Sequence, residues 1–214
     1  MSRKLVIFMC TLCLVGIVTP AKAAALNWNG DFEAIPAEIY DSENGWNEPS
    51  GWWVWLNDPT AQSVAVNPTG GYGGSAGAVT TNTDPDGLSA KLGTNWFSVS
   101  AGVQYTADYM FNEAVVAGGG WAGATAGLEF FDSAGTWLDG VYLGLWDTGG
   151  SWASSNISKV APAGAVNAQF QIEAWVGGGG TVTTSLDNVF VTPEPATMVL
   201  LGIGGLLALR RKHA

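Results

Sequence analysis

The chain has 214 residues, of which 30 are glycine and 11 are tryptophan, and only 12% carry a charge. Acidic residues outnumber lysine and arginine by 18 to 8, which gives a net charge of −10. This excess disfavours nucleic acid as a partner, because affinity for nucleic acid depends on cationic side chains that neutralise phosphates. The same charge would repel anionic lipid, so cations and neutral polymers are the natural partners.

The first 23 residues have the pattern of a secretory signal peptide. Arg3 and Lys4 form a positive n-region, residues 5–18 form an apolar stretch, and Ala21 and Ala23 provide a small-x-small cleavage site. We expect a signal helix that signal peptidase removes after Ala23. Both cysteines of the chain lie inside the apolar stretch, so the mature protein has no disulfide even in a compartment that permits one.

Removal of the leader and of the C-terminal tail changes the chemistry that the chain can perform. In residues 24–195 two cations remain, Lys91 and Lys159, against 18 acidic residues, which gives a net charge of −16. The one histidine, His213, belongs to the tail. A mature chain without histidine and cysteine excludes Ser-His-Asp and Cys-His nucleophiles and zinc sites with nitrogen and sulfur ligands.

Beyond the leader, apolar and polar residues alternate in short segments separated by glycine, proline, asparagine and aspartate, a pattern typical of β-strands. So many short strands with turn signals between them predict an all-β fold, a two-sheet antiparallel sandwich. The predicted strands are residues 28–33, 52–56, 62–66, 76–81, 87–92, 95–100, 104–111, 126–132, 137–143, 166–175 and 181–191.

The clearest alternation is in the segment 166–175, where one face is expected in the core and the other meets solvent or a ligand. The predicted core face is Val166, Ala168, Phe170, Ile172 and Ala174. The opposite face is Asn167, Gln169, Gln171, Glu173 and Trp175.

Five short motifs follow one another in order along the mature chain: residues 29–33, 45–46, 100–106, 161–165 and 185–189. This ordered set resembles the jelly-roll carbohydrate-binding modules of the galactose-binding-domain-like fold. The resemblance implies a jelly-roll β-sandwich over residues 24–192 that binds carbohydrate without catalysing a reaction.

The same resemblance implies a structural calcium ion where the first and last strands lie close together. Glu33 matches the acid of the opening strand, Asp187 matches the acid of the closing Asp-Asn-Val, and Asp31 is a further possible ligand. Calcium prefers six to eight hard oxygen ligands, which carboxylates and loop carbonyls supply. The alternative is that these acids cap turns and face water, and no cofactor is required.

The eleven tryptophans are the other unusual feature of the composition. An exposed indole offers a π face to the C–H face of a sugar, and its N–H can donate a hydrogen bond. In the strand 52–56, Trp53 and Trp55 share one face and Trp52 and Val54 share the other, so we expect one pair in the core and the other exposed.

The remaining tryptophans divide by the same reasoning. Trp28, Trp46 and Trp137 are expected in the core, and Trp146 and Trp152 in loops. The candidates for carbohydrate contact are Trp53, Trp55, Trp96, Trp121 and Trp175. Packing in the core is the alternative for each of them.

A small glycoside hydrolase or lyase is one alternative function, because a carboxylate pair is the chemistry that the mature chain retains. Glu129 alternates with Leu128 and Phe130 and is expected to face outward. A solvated acid on an acidic surface explains such residues equally well, and we expect no catalytic residue. The best candidates for a carboxylate pair are Glu113, Glu129, Asp132 and Asp139.

The C-terminal 22 residues, 193–214, combine a Pro-Glu-Pro tripeptide, an apolar run and a basic cluster. As a helix, the apolar run 196–209 would cover roughly 21 Å, which is short of a hydrocarbon core of about 30 Å. A transient membrane helix therefore fits better than a permanent anchor. The residues that define the segment are Pro193, Glu194, Pro195, Arg210, Arg211 and Lys212.

This segment resembles the PEP-CTERM sorting signal of exported Gram-negative bacterial proteins. The resemblance implies processing by an exosortase near the tripeptide, after transient anchoring in the inner membrane. An ordinary tail anchor is the alternative.

Together these features predict an exported, non-catalytic protein of the cell surface or extracellular matrix that binds polysaccharide of the exopolysaccharide matrix. A structural or adhesive surface protein without a specific glycan site is the second hypothesis.

Overall fold

A computed structural model describes residues 30–35, 39–40, 51–116 and 120–194 of the chain, with residues 39–40 as backbone alone. The predicted signal helix, the C-terminal apolar helix, Trp28 and Trp46 lie outside the described residues. Over those described ranges, no helix is long and apolar enough to cross a membrane. The predicted domain boundaries stay predictions.

The described residues form strands joined by turns, with one short 3₁₀ turn at Tyr72–Gly74. The strands are β1 Ile39–Tyr40, β2 Trp52–Leu56, β3 Gln62–Asn67, β4 Gly77–Asn82, β5 Ser89–Thr94, β6 Phe97–Ser98, β7 Gln104–Val116, β8 Trp121–Phe131, β9 Trp137–Gly144, β10 Ala153–Val160, β11 Asn167–Gly177 and β12 Thr181–Pro193.

These strands build two antiparallel sheets. Sheet A has the order β1-β3-β4-β12-β7-β10, and sheet B has the order β2-β5-β11-β8-β9, with β6 paired to the end of β11. The longest pairing joins β8 to β11, where residues 121–131 face residues 167–177 in continuous register. The predicted all-β fold, a two-sheet antiparallel sandwich, is confirmed.

The core lies between the sheets and follows the period-2 alternation of the sequence. On β11, Ala168, Phe170, Ile172 and Ala174 are fully buried, as predicted. Val166, assigned to the same face, precedes the strand and is exposed. On β7 the buried residues are Tyr105, Ala107, Tyr109, Phe111 and Glu113.

Two of the predicted strands were wrong or incomplete, and strand β10 was not predicted. The described part of segment 28–33 forms turns, in which Phe32 has φ 56° and its backbone leaves the extended region. Segment 95–100 shortens to Phe97–Ser98. Strand β10 was missed because Ile157 is its one fully buried residue, so this edge strand of sheet A has too few apolar residues to show an alternation.

Candidate functional site

The outer face of sheet B, which points away from the core, carries a groove with a volume of about 450 Å³. Strands β2, β5, β8, β9 and β11 contribute to it, so rigid sheet positions hold most of its side chains. The lining residues are Trp53, Trp55, Lys91, Trp96, Glu129, Phe131, Trp137, Gln169 and Gln171.

The floor of the groove is a hydrogen-bonded polar network centred on Glu129. Tyr142 Oη donates to Glu129 Oε1 over 2.5 Å, and Gln169 Nε2 donates to Oε2 over 2.6 Å. Gln171 Nε2 adds a longer bond of 3.3 Å to Oε1. Gln169 Oε1 in turn accepts a hydrogen bond of 3.1 Å from Trp96 Nε1. Because these contacts link both carboxylate oxygens to neighbouring strands, they hold Glu129 in one orientation.

Tyr142 is a neutral hydrogen-bond donor in this network. Partial burial raises the pKa of its hydroxyl, and the hydrogen bond to Glu129 and the charge of that carboxylate raise it further. A hydrogen bond with the Trp137 side chain acts in the opposite direction but is a smaller effect. Tyr142 therefore keeps its proton throughout the physiological pH range.

Aromatic rings on this face lie across glycines of the neighbouring strand. Trp53 faces Gly93 in the register, and a Cβ on Gly93 would come within 2.4 Å of the indole. The Trp53 Nε1 atom donates to the Thr94 carbonyl over 2.8 Å, which fixes the ring in that position. Tyr142 similarly faces Gly127, where a Cβ would lie 3.0 Å from the ring. The absence of a side chain at each glycine allows the ring to lie flat on the sheet.

Three more indoles form the walls of the groove. Trp96 stacks on Phe131 with ring centroids 5.1 Å apart and an angle of 25° between the rings. Trp55, Trp96 and Trp137 are 45%, 50% and 51% exposed, so each has a large open surface. Trp55 Nε1 donates to Asn57 Oδ1 over 3.2 Å, which uses the indole N–H and leaves the ring face available.

Of the two charged side chains that line the groove, one is neutralised by an ion pair and the other is not. Lys91 forms an ion pair with Glu173, with 3.2 Å between Nζ and Oε1. Glu129 is the one carboxylate among the described lining residues. Its contacts described above are hydrogen bonds from the uncharged side chains of Tyr142, Gln169 and Gln171, and not ion pairs. The uncompensated charge of the groove is therefore negative.

The structure brings three of the five predicted sugar-contacting tryptophans together: Trp53, Trp55 and Trp96 line the groove. Trp52 and Val54 are in the core and Trp55 is exposed, as expected, but the expectation of an exposed pair is wrong for Trp53, which is only 6% exposed because its ring packs on Gly93. Trp121 and Trp175 lie on the same face farther along β8 and β11, with their ring centroids 4.8 Å apart. Contact with carbohydrate stays a prediction for all five.

Trp137 was wrongly expected in the core and instead lines the groove. It begins β9, an edge strand of sheet B whose residues are all at least partly exposed. The register between β8 and β9 also shifts at Phe130/Phe131, beside Trp137. Both features break the link between alternation and burial on which the prediction depended.

Of the four acids considered for hydrolysis, Glu129 alone lies in the groove, and it faces outward as predicted. Glu113 points into the sandwich, where burial raises its pKa to about 7 with a smaller contribution from the charge of Asp147. Asp132 accepts hydrogen bonds from the backbone of its own turn, at Ala134 and Thr136. Asp139 pairs with Lys159 over 2.9 Å. These acids have separate structural roles and do not surround one cleft.

The predicted calcium ligands lie near one another around the loop that contains the 3₁₀ turn. Asp187 Oδ2 accepts hydrogen bonds of 2.8 Å from Tyr72 N and from Ser75 Oγ, and Glu33 Oε1 accepts one of 2.9 Å from Ala76 N. Burial raises the pKa of Asp187, and the charge of Asp31 raises it further. The oxygen donors match the preference of calcium.

Within the described residues, however, no group of three or more histidine, cysteine, aspartate or glutamate side chains is arranged to hold a metal ion. Hydrogen bonds from the loop already occupy Glu33 and Asp187. Calcium binding therefore stays a prediction.

The tail has a clear family match. Residues 191–212 match the PEP-CTERM protein-sorting motif. The match spans the tripeptide that begins at Pro193 and the basic cluster that ends at Lys212, so the identification of the tail is confirmed. The motif indicates export with a membrane-anchored sorting signal of Gram-negative bacteria, and it implies processing by an exosortase. Pro193, the last residue of β12, and Glu194 are described, whereas the predicted signal peptidase site and all tail residues after Glu194 lie outside the described residues.

The fold is similar to several solved structures. The enzymatically active domain of tailspike protein 4 of bacteriophage CBA120 is 16% identical, with a TM-score of 0.55 over 82% of this chain and 22% of that one. An arabinose-bound α-L-arabinofuranosidase is 15% identical, with a TM-score of 0.53 over 82% of this chain and 27% of that one. A xylan-binding domain from Paenibacillus barcinonensis is 15% identical, with a TM-score of 0.48 over 77% of this chain and 98% of that one.

The chain thus spans about a quarter of the first two structures, and at these identities the similarity shows the fold alone. Other similar structures include further carbohydrate-binding modules with a β-sandwich fold. No curated protein matches the sequence.

Proposed function

We propose that the protein is an exported, non-catalytic polysaccharide-binding protein whose site is the groove on sheet B. The observation that carries this proposal is the arrangement of open indole faces, at Trp55, Trp96 and Trp137, around the polar floor of Gln169 and Glu129. Sugars have apolar C–H faces and a rim of hydroxyl groups, so their recognition needs flat aromatic surface beside fixed hydrogen-bonding groups.

The charge of the groove favours a neutral glycan. Lys91 is paired with Glu173, so the Glu129 carboxylate dominates the field inside the groove. A uronate or sulfate group there would meet a like charge, on a mature chain with a predicted net charge of −16. A hydroxyl group, in contrast, can donate to the carboxylate.

A single groove carboxylate also supports binding over hydrolysis. Glycoside hydrolases of the usual kind place two carboxyl groups on either side of the scissile bond, as acid and as base or nucleophile. In the described lining of this groove there is one, and its hydrogen bonds to Tyr142 and two glutamines favour a fixed acceptor over a proton donor.

The sorting motif supports export of the protein, and we propose the exopolysaccharide matrix as the source of the ligand. Exosortase and signal peptidase are then processing partners, and the inner membrane is a transient one. Structural calcium near Asp187 is part of the proposal. The second candidate, a structural or adhesive surface protein without a specific glycan site, requires that the open indoles bind no sugar.

The proposal is tested by isothermal titration of the purified protein with soluble neutral polysaccharides such as xylan and β-glucan, with alginate as an anionic comparison. We expect Trp96→Ala and Trp137→Ala each to weaken binding about five- to tenfold, because an aromatic contact of this type contributes about 1 kcal/mol. Phe190→Ala is the matched control, because Phe190 is an exposed aromatic residue on sheet A. Equal loss in the control, or no binding of any polysaccharide, would contradict the proposed function.

A further inference from the structure

A second aromatic cluster lies on the outer face of sheet B, beyond the groove. It consists of Trp121 on β8 and Trp175 on β11, with ring centroids 4.8 Å apart and an angle of 53° between the rings. Trp121 is 52% exposed, which makes it as open as Trp55, Trp96 and Trp137 in the groove. Neither residue belongs to the lining of the groove.

The pair is constructed in the same manner as the groove. Trp121 faces Gly177 in the register, where a Cβ would lie 2.5 Å from the indole, and Trp175 faces Gly123, where a Cβ would lie 3.2 Å away. Gly87 also approaches the Trp121 ring, because a Cβ there would be 3.6 Å from it. Both indoles therefore rest on sheet positions without side chains.

The surface between the two clusters is polar and electrically balanced. Across it run the ion pair of Lys91 and Glu173 and the hydroxyl of Thr125, which accepts a hydrogen bond of 3.4 Å from Trp175 Nε1. Lys91 and Glu173 compensate each other's charge, so these residues leave hydrogen-bonding groups without a net charge beneath a chain laid over them. The register between β8 and β11 is continuous from the groove to the pair.

The spacing follows from that register. On β11, Trp175 is six residues from Gln169 and four from Gln171, which corresponds to about 20 Å and about 13 Å along the strand at roughly 3.3 Å per residue. Lys91, at the near end of the groove, faces Glu173, two residues from Trp175. A single sugar on the groove floor at Gln169 cannot reach the pair, whereas an extended oligosaccharide can.

We infer that Trp121 and Trp175 form a distal subsite for the same glycan, and that the ligand is a linear neutral chain lying along β8 and β11. This inference rests on the proposed function of the groove. Full affinity then requires that both clusters are occupied. The ligand class is therefore an extended polysaccharide and not a branch end or a single sugar.

The test compares xylo-oligosaccharides of increasing length with xylan polymer, by titration against the wild type, Trp121→Ala and Trp55→Ala. We expect Trp121→Ala to weaken binding of the polymer about tenfold and to leave the shortest oligosaccharides that bind unaffected. Trp55→Ala should weaken both. Trp121→Phe, which keeps an aromatic face, should restore most of the affinity for the polymer, and unchanged circular dichroism would show that the variants fold.

Other outcomes overturn the inference in distinguishable ways. If Trp121→Ala binds oligosaccharides of every length and the polymer as tightly as the wild type does, the distal subsite is wrong while the groove still binds glycan. If Trp121→Ala instead abolishes self-association in sedimentation and leaves glycan affinity unchanged, the pair is a contact between copies of the chain. If neither xylan nor β-glucan binds the wild type, the proposed function fails and the inference fails with it.

Discussion

Glu113 is a carboxylic acid inside the sandwich, on the buried face of β7 that also carries Phe111. It accepts a hydrogen bond from the backbone of Ala124, and within the described part of the chain its Oε2 atom has no hydrogen-bond partner. Burial of the charged form is therefore incompletely compensated, which raises the pKa of Glu113 from 4.5 to about 7. We expect Glu113→Gln to change how stability depends on pH.

The direction of the pH dependence follows from the number of protons bound to the folded and to the unfolded chain. Between pH 4.5 and pH 7 the folded chain keeps a proton on Glu113 that the unfolded chain has released. The free energy of unfolding therefore falls as the pH rises through this window, and it levels off above pH 7. Each pH unit in the window costs about 1.4 kcal/mol, so the whole effect is at most about 3 kcal/mol. Glutamine has nearly the same shape and does not titrate, so the variant should lose this dependence.

The measurement is urea unfolding followed by tryptophan fluorescence, for wild type and Glu113→Gln at a series of pH values from 4.5 to 8. The difference between the two proteins isolates Glu113, because the repulsion among the other acids is common to both. Asp147→Asn is a second variant: the charge of Asp147 contributes to the raised pKa of Glu113, so its removal should make the pH-dependent loss of stability end at a lower pH and be smaller. A difference that does not vary with pH would refute the assignment of Glu113 as a buried, protonated acid.

Three further predictions concern the groove, the loop acids and the tail. Gly93→Ala should displace the Trp53 ring, lower the free energy of unfolding by about 1–3 kcal/mol and weaken glycan binding, as measured by urea unfolding and titration. Gly144→Ala, which has free space around its Cβ position, should change none of these properties. Added calcium should raise the melting temperature of the wild type and not of Asp187→Asn, and an unchanged wild-type melting temperature would exclude a calcium site that favours the folded state. The intact mass of the surface-exposed protein should lack the segment after the Pro-Glu-Pro tripeptide, and recovery of a chain that ends at Ala214 would contradict processing.

The sequence predicted the sheets best where one face of a strand is completely buried. On β11 the alternation from Ala168 to Ala174 identified both the core face and the polar face that became the groove floor. The signal failed at edge strands, because every residue of β9 and all but one of β10 are at least partly exposed. There the requirement for apolar residues disappears, and Trp137 could not be distinguished from a core residue by its neighbours in sequence.

The candidate site was predictable in its residue types and less so in its assembly. The alternation in β2 placed Trp53 and Trp55 on one face, and the polar side of β11 was expected to meet solvent or a ligand. The contact between Trp53 and Gly93 depends on the pairing of β2 with β5, across 40 residues of sequence. A glycine within a strand indicates a close approach by another group, but the sequence does not say which group approaches.

The pairing of aromatic rings with glycines has a consequence for evolution of this surface. While Trp53 is present, Gly93 cannot gain a side chain without displacing the ring; once the ring is lost, a β-branched residue at the same position would strengthen the strand. The two positions should therefore covary, and so should Trp175 with Gly123 and Trp121 with Gly177. In a set of related sequences, a strand glycine replaced by valine or threonine would identify members that have abandoned the ligand but kept the fold.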